Sequence, residues 1–353
     1  MNDFFSNNDL SIDEIKYLLL LENKNDIKLL YDKASDLRNK TIGNKVYLRG
    51  LIEYSDRCSK NCYYCGIRAG NANIKRYTMT DEEVVNCAKY ALENKYKSIV
   101  LQSGERSDKE FTNHISSLIK KIHAATGNEL RITLSCGEQS MEVYKEWFDL
   151  NVKRYLLRIE ASNPELYKKL HPADHNYTKR LEAINSLVKT GFQAGTGVMI
   201  GLPFQTIDDL ANDLIFIRDS GAVMVGMGPY IEHSETPLYQ YRNELFSPQK
   251  RMELSLKMIA VLRILNPKLN IASTTALQTL DPHGRELGIK AGANVIMPNI
   301  TPEIYKQEYN LYQGKPSIEQ EPDICKTEIE KEISEAGCIV AWDEWGDSKM
   351  YKT

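Results

Sequence analysis

The chain has 353 residues, 42% of them hydrophobic and 26% charged, with a formal net charge of −3. This is the balance of an ordinary globular protein, and it supplies no basic field for nucleic acid or an anionic membrane. No apolar run reaches the roughly 18 residues of a membrane span, and the opening residues lack a signal peptide's basic region and cleavage site, so the cytoplasm is the expected location.

Residues 11–39 read as two helices, "SIDEIKYLLLLE", opened by Ser11 as N-cap, and "DIKLLYDKASDLRNK". They predict an N-terminal helical extension over residues 1–42. After Gly43 apolar, β-rich runs recur, each followed by a turn and an amphipathic helix. The strand candidates are "KVYLRGLIEY", "KSIVLQ", "LRITLS", "VKRYLLRIE", "FQAGTGVMI", "AVMVGMG", "LNIAST" and "ANVIMP". Between them lie helices such as "TDEEVVNCAKYALENK", where Thr80 and Glu83 have the spacing of a capping box. Eight such strands close a parallel barrel, so the expected fold is an α/β (β/α)8 TIM-type barrel over residues 43–313. The alternative is an open doubly wound sheet, but no helix-opening G-x-G-x-x-G follows the first strand. From residue 314 to 353 a polar tail, with a helical stretch "TEIEKEISEAG" and a Trp-bearing end, is expected to pack on the barrel.

Seven cysteines are too few for a disulfide scaffold, and the count is odd. Three of them, Cys58, Cys62 and Cys65, crowd into "DRCSKNCYYCGIRAGN" just after the first strand. In a barrel that loop lies at the strands' C-terminal face, where such enzymes place their chemistry. Thiolates suit zinc or iron–sulfur clusters, but a structural zinc site and a ferredoxin-type cubane each take four ligands. Three thiolates on a cubane leave one iron open to an exchangeable ligand. A zinc loop borrowing a distant ligand, or cysteines without any metal role, are the competing readings. Cys87 falls on a helix and reads as core, Cys136 follows the third strand alone, and Cys325 and Cys338 in the tail lack a C-x2-C spacing. The loop histidines His171, His175, His233 and His283 show no two-His spacing, so no second metal is expected.

Charged residues at strand ends are informative, because apolar strands do not otherwise tolerate them. Arg158 and Glu160 in "LLRIEASN" alternate by two and so share one face of a strand, suited to the carboxylate and ammonium of an amino-acid-like ligand. A buried structural ion pair is the alternative. Arg49, Glu53, Gln102, Thr133, Thr274 and Thr275 occupy inward or end positions, and together they predict a polar, carboxylate-friendly cavity.

The spacing C-x3-C-x2-C, with Tyr64 directly before the last cysteine, resembles the signature of the radical S-adenosylmethionine (SAM) superfamily. The resemblance implies a [4Fe–4S] cluster held by Cys58, Cys62 and Cys65, SAM chelated on the fourth iron, and Tyr64 near the adenine. "LQSGE" looks like the superfamily's glycine–glycine–glutamate segment, which assigns the SAM amino group to Ser103, Gly104 and Glu105; an N-cap role for Ser103 competes. Glu160 is placed with the cofactor, Arg180 resembles the arginine that pairs with the SAM carboxylate, and Met199 and Gly201 in "GTGVMIGLP" resemble the adenine-contacting segment. A solvated Arg180 and a core Met199 are the plain alternatives.

Closer still, "RYTMT", "IVLQSGE", "RYLLRIEASNPELYKKLHP", "MIGLPFQTIDDLANDLIFI", "ASTTALQTLDPHGRE" and "GANVIMPNITPEIYKQEYNLYQGK" resemble the E-type maturase family of [FeFe]-hydrogenase, from about Val46 to Lys315. That family implies action on an organometallic Fe(CO)2(CN)–cysteine substrate during H-cluster assembly. It also implies work alongside a tyrosine-cleaving radical SAM maturase, a GTPase scaffold and a reductant protein. Arg49, Gln102, Thr133, Arg158, Thr274, Thr275 and Tyr305 match positions expected to hold that substrate. Some members carry three further cysteines for an auxiliary cluster; here only Cys325 and Cys338 follow "LYQGK", at the wrong spacing, so one cluster per chain is expected. Biotin synthase and methylornithine synthase are the rival enzyme readings, and a non-enzymatic iron–sulfur carrier is the rival of a different class.

Overall fold

The structure, a computed structural model, describes residues 9–315 and 322–351, with side chains for all of these except 322–326. It opens with α1 (Ile12–Leu19) and α2 (Lys24–Thr41). Ser11 caps α1 in a reciprocal box with Glu14, and Asn23 caps α2. The first strand candidate breaks at Arg49 into β1 (Lys45–Leu48) and β2 (Gly50–Ser55). Then follow α3 (Asp81–Glu93), β3 (Ser98–Ser103), α4 (Lys109–Thr126), β4 (Arg131–Ser135), α5 (Met141–Asp149) and β5 (Arg154–Leu156). Next come α6 (Pro164–Leu170), α7 (Tyr177–Thr190), β6 (Gln193–Thr196), β7 (Met199–Ile200), α8 (Ile207–Asp219), β8 (Met224–Val225) and β9 (Gly228–Pro229). The chain continues through α9 (Pro248–Leu265), β10 (Asn270–Ile271), α10 (Thr275–Leu280), α11 (Gly284–Lys290), β11 (Val295–Ile296), α12 (Glu303–Lys306), α13 (Pro322–Glu335) and β12 (Ile339–Val340). The box predicted at Thr80 and Glu83 opens α3.

Seven strands lie side by side in the order β10-β8-β6-β5-β4-β3-β2, every pairing parallel. β1 pairs in parallel with β11. Bridges from Ala272 to Val295 and from Leu51 to Asn299 carry the hydrogen bonding around from β10 through β11 to β2. The ring so formed, with helices outside it, is the (β/α)8 TIM-type barrel expected from the eight strand candidates. β7 and β9 pair with each other beyond the ends of β6 and β8, extending the wall at the C-terminal ends of the strands.

The N-terminal helices solve a burial problem. α9 is buried on nearly every side, from Arg251 to Leu265, and a helix apolar all round needs cover on all of its faces. α1 and α2 pack across it. Lys257, fully buried within α9, donates to the carbonyls of Leu19 and Leu21 and pairs with Glu253 at 2.6 Å. The uncapped C-terminal carbonyls of α1 thereby gain a cation, the sign the helix dipole favours there.

The last residues close the other end. β12 pairs with β1, and residues 345–348 run under the N-terminal ends of the strands. Arg154, fully buried at the start of β5, donates to Ser98 Oγ at 2.7 Å, Trp345 O at 2.5 Å and Asp347 Oδ1 at 2.5 Å. Gln193 and Arg131, first residues of β6 and β4, also reach Asp347, at 2.5 and 3.3 Å. Asn270 at the start of β10 donates to Gly346 O at 2.9 Å.

Candidate active site

A cavity of about 330 Å³ opens at the C-terminal ends of the strands, bordered by Cys58, Cys62 and Cys65 together. The cysteine loop is pinned from several directions. Ser59 N–H donates to Glu105 O at 2.8 Å, Tyr63 N–H to Leu170 O at 2.9 Å, and Gly66 N–H to Leu311 O at 2.9 Å. Cys58 Sγ accepts the backbone N–H groups of Lys60 and Glu105 at 3.4 and 3.3 Å. Gly104, at the end of β3, lies so close that a Cβ there would sit 2.5 Å from Arg57 O and 2.8 Å from Cys58 Cβ. Burial pushes the thiols of Cys58 and Cys65 up and Cys62 to about 12. As bare thiols they stay protonated at neutral pH, and a soft cation is what would draw them into the thiolate form.

Ser103, Gly104, Glu105, Gln102, Arg158, Glu160, Arg180, Met199, Thr274, Thr275 and Tyr64 all line the same cavity. Two carboxylates and two cations interlock at its edge. Arg180 lies 3.3 Å from Glu105 and 2.7 Å from Glu138, and Lys60 lies 3.3 Å from each of the same acids. The side chains of Arg158 and Glu160 meet at 2.9 Å, although not as residues of one strand. β5 ends at Leu156, and Glu160 takes φ +67°, left-handed backbone that costs an L residue bearing a Cβ about 1–2 kcal/mol. Its N–H to Gly197 O and its carbonyl to Met199 N, each 3.0 Å, hold it there. Burial raises the Glu160 carboxyl against the pull of Arg158 and Arg180.

Four of the residues singled out in the sequence lie elsewhere. Arg49 and Thr133 border a second, much smaller pocket toward the barrel floor, with Met224 and Asn270. Tyr305 stacks on Tyr77 with centroids 4.8 Å apart and donates to Glu83 at 2.9 Å, away from the cavity lining. Gly201 sits behind the wall: its N–H donates to Gln205 Oε1 at 2.7 Å, and at φ +81° its missing Cβ makes room for the Arg251 side chain. Cys87, Cys136 and Cys338 are buried away from the cavity, and the side chain of Cys325 falls outside the described residues.

Lys315, Asn299 and Tyr309 enter unannounced: Lys315 meets the expected Glu53, Asn299 donates to Glu53 at 2.9 Å, and Tyr309 accepts from Gln102 at 3.3 Å. His171 and His175, for which no metal spacing was expected, come together beside Cys62: the three ligand atoms lie within 4.8 Å of one another. Their separation by four residues across the end of α6, in "LHPADH", is the signal that could have shown it.

Thiols crowded at the mouth of a parallel barrel, beside a charged pocket of cofactor size, define a radical SAM-type enzyme, and residues 52–217 match the Radical SAM superfamily. The chain is 41% identical over 339 residues to the [FeFe] hydrogenase maturase subunit HydE of Thermotoga maritima, covering 96% of this chain and 94% of that one. It belongs to that hydrogenase maturase family of radical SAM enzymes. It is also 30% identical to biotin synthase of Clostridium tetani, over 82% of this chain and 87% of the relative. The solved structure of methylornithine synthase (PylB) superimposes with a TM-score of 0.82 over 97% of each chain at 23% identity, a likeness of fold. Family membership implies a [4Fe–4S] cluster and SAM. No helix among the described residues is long and apolar enough to cross a membrane.

Proposed function

We propose that Cys58, Cys62 and Cys65 hold the cluster, and that the adjoining cavity receives SAM and then an iron–cysteine precursor of the hydrogenase H-cluster. When bound, the cluster supplies one electron that splits the SAM sulfonium into methionine and a 5′-deoxyadenosyl radical. The donor set fits this group. Three partly buried thiols share one wall, and no fourth cysteine lines the cavity among the described residues, so a four-iron cluster held here would keep one position for an exchangeable ligand. Ser103, Gly104 and Glu105 would receive the methionine amino group, with Arg180 at its carboxylate. Tyr64 and Met199 would flank the adenine, with Gly201 shaping the Met199 segment through Gln205. Gln102, Arg158, Thr274 and Thr275 offer donors for the precursor's cysteine and diatomic ligands, with Arg49 and Thr133 deeper along the barrel. The chain would work with the tyrosine-cleaving maturase, the GTPase scaffold and a reductant protein.

The observation that carries the substrate class is the pairing of the cavity's acids. Glu53 is held by Lys315, Glu105 by Arg180 and Lys60, and Glu160 by Arg158. Each lining carboxylate is already matched by a cation of the chain, which leaves a poor pocket for the ammonium of a lysine substrate. The same pocket suits cyanide, carbonyl and carboxylate groups, which accept from Arg158, Gln102 and the threonines. Anaerobic reconstitution tests this. Iron–cysteine precursor is expected to stimulate 5′-deoxyadenosine formation at least tenfold over SAM alone, and the chain is expected to restore hydrogenase in a strain lacking this maturase. Stimulation by lysine instead, with formation of 3-methylornithine, would sink the assignment.

A further inference from the structure

Two histidines beside the cysteine loop are held in single tautomers by the backbone. His171 Nδ1 faces the carbonyl of Tyr167 at 2.8 Å. A carbonyl only accepts, so Nδ1 carries the proton and Nε2 is left as an acceptor. Tyr64 Oη lies 3.1 Å from that Nε2, so the phenol donates to His171. The hydroxyl's one proton is thereby directed at His171, although the phenol also lies beside Cys62. His175 is set by the opposite device. The N–H of Asn61 donates to His175 Nε2 at 3.2 Å, which makes Nε2 the acceptor and puts the proton on Nδ1. That Nδ1 lies 3.8 Å from Cys62 Sγ, within reach of a hydrogen bond to sulfur.

The three thiols are therefore served differently. Cys58 receives backbone donors from Lys60 and Glu105, and Cys65 receives the backbone N–H of Ile67. Cys62 faces an imidazole. The ring is 9% exposed and its far nitrogen is tied to the residue next to Cys62, so the loop and the histidine are fixed as one piece.

We propose that His175 is a positioning residue for the cluster, donating Nδ1–H to the Cys62 sulfur and thereby setting the reduction potential from which SAM is cleaved. Hydrogen bonds to cluster sulfurs stabilise the more negative, reduced state and raise the potential. The inference rests on the three-cysteine cluster proposed above. The nearby trio of Cys62, His171 and His175 is not a ready tetrahedral metal site, because His171 has both ring nitrogens committed, to Tyr167 and Tyr64.

The test is an EPR-monitored redox titration of the reconstituted full chain. His175→Ala is expected to move the cluster midpoint to a more negative potential while iron and sulfide stay at four per chain. His175→Asn, whose amide nitrogen can take the place of Nδ1, is expected to recover part of the shift. An unmoved midpoint in His175→Ala overturns the inference, as does a shift that His175→Asn leaves wholly uncorrected. Wild-type protein labelled with ¹⁵N-histidine gives a second reading that does not depend on any variant's folding. Pulsed EPR of the reduced cluster should show a weak nitrogen coupling and an exchangeable proton. A strong coupling of direct ligation, or none, overturns it. A wild-type chain that takes up no four-iron cluster overturns the cysteine assignment along with this inference, whereas a normal wild-type cluster with an unmoved midpoint in His175→Ala overturns the inference alone.

Discussion

The two ends of the barrel use the same residue types for opposite purposes. At the floor, Arg154, Arg131, Gln193 and Asn270 close on Trp345, Gly346 and Asp347, so that polar groups from four strands meet partners within the chain. At the mouth, Arg158, Gln102, Thr274 and the cysteines face a cavity of about 330 Å³. Polar groups paired within packed chain make a plug; polar groups that border open space, even when paired with one another, make a site. The floor is consequently a matter of stability, and the mouth of chemistry, as barrels generally divide them.

The sharpest way to break that comparison is at the cysteines. Cys62→Ala should reduce reductive SAM cleavage to background, measured as 5′-deoxyadenosine by mass spectrometry, while buried Cys338→Ser should retain most of it. Equal losses would mean that the cavity thiols have no privileged role. Next in size is the floor. Asp347→Ala leaves Arg154 buried without its carboxylate, and such a loss costs about 3–5 kcal/mol, read as a fall in denaturant midpoint. Turnover per assembled cluster should stay near wild type, because Asp347 lies at the opposite end of the strands. A third prediction concerns fit at the mouth. Gly104→Ala forces a Cβ to within 2.5 Å of Arg57 O, and should weaken SAM binding at least tenfold with the fold intact by circular dichroism.

The smallest effects are in pH. Burial alone would raise the Asp347 carboxyl, but Arg154, Gln193 and Arg131 outweigh it and hold its pKa below the usual aspartate value. Its contribution is present above the unfolded value of 3.8 and is lost as pH falls through the lower folded value, so acid should loosen the floor. Asp213, behind the Met199 segment, behaves in the opposite sense. Burial lifts it to about 7, so its contribution is complete below 3.8 and disappears as pH rises through about 7. Asp213→Asn should flatten the dependence of melting temperature on pH between about 4 and 7, and an unchanged slope would remove Asp213 from the account.

Much of the fold was legible in the chain. The capping boxes at Ser11 and Thr80 and the eight strand runs are local signals, and all stand in the structure. The mouth was legible where residues sit at strand ends or in a tight motif, as with Cys58, Cys62, Cys65 and the segment from Gln102 to Glu105. Register was not legible at Arg158 and Glu160, because the strand stops at Leu156 and a left-handed turn at Glu160 brings the pair together another way. Tyr305 was misplaced because α12 turns it toward Glu83 and Tyr77, which alternation cannot foretell. Arg49 faces the floor because β1 and β2 break at that residue.

By itself the sequence determined the element order, the barrel class and the cysteine loop, since hydrophobic period, caps and cysteine spacing act over a few residues and need no distant partner. Only the tertiary structure decided which histidine meets which thiol, which cation neutralises each cavity acid, and that residues 345–348 form the floor. Those contacts join positions far apart in the chain, and nothing local in either partner specifies the other.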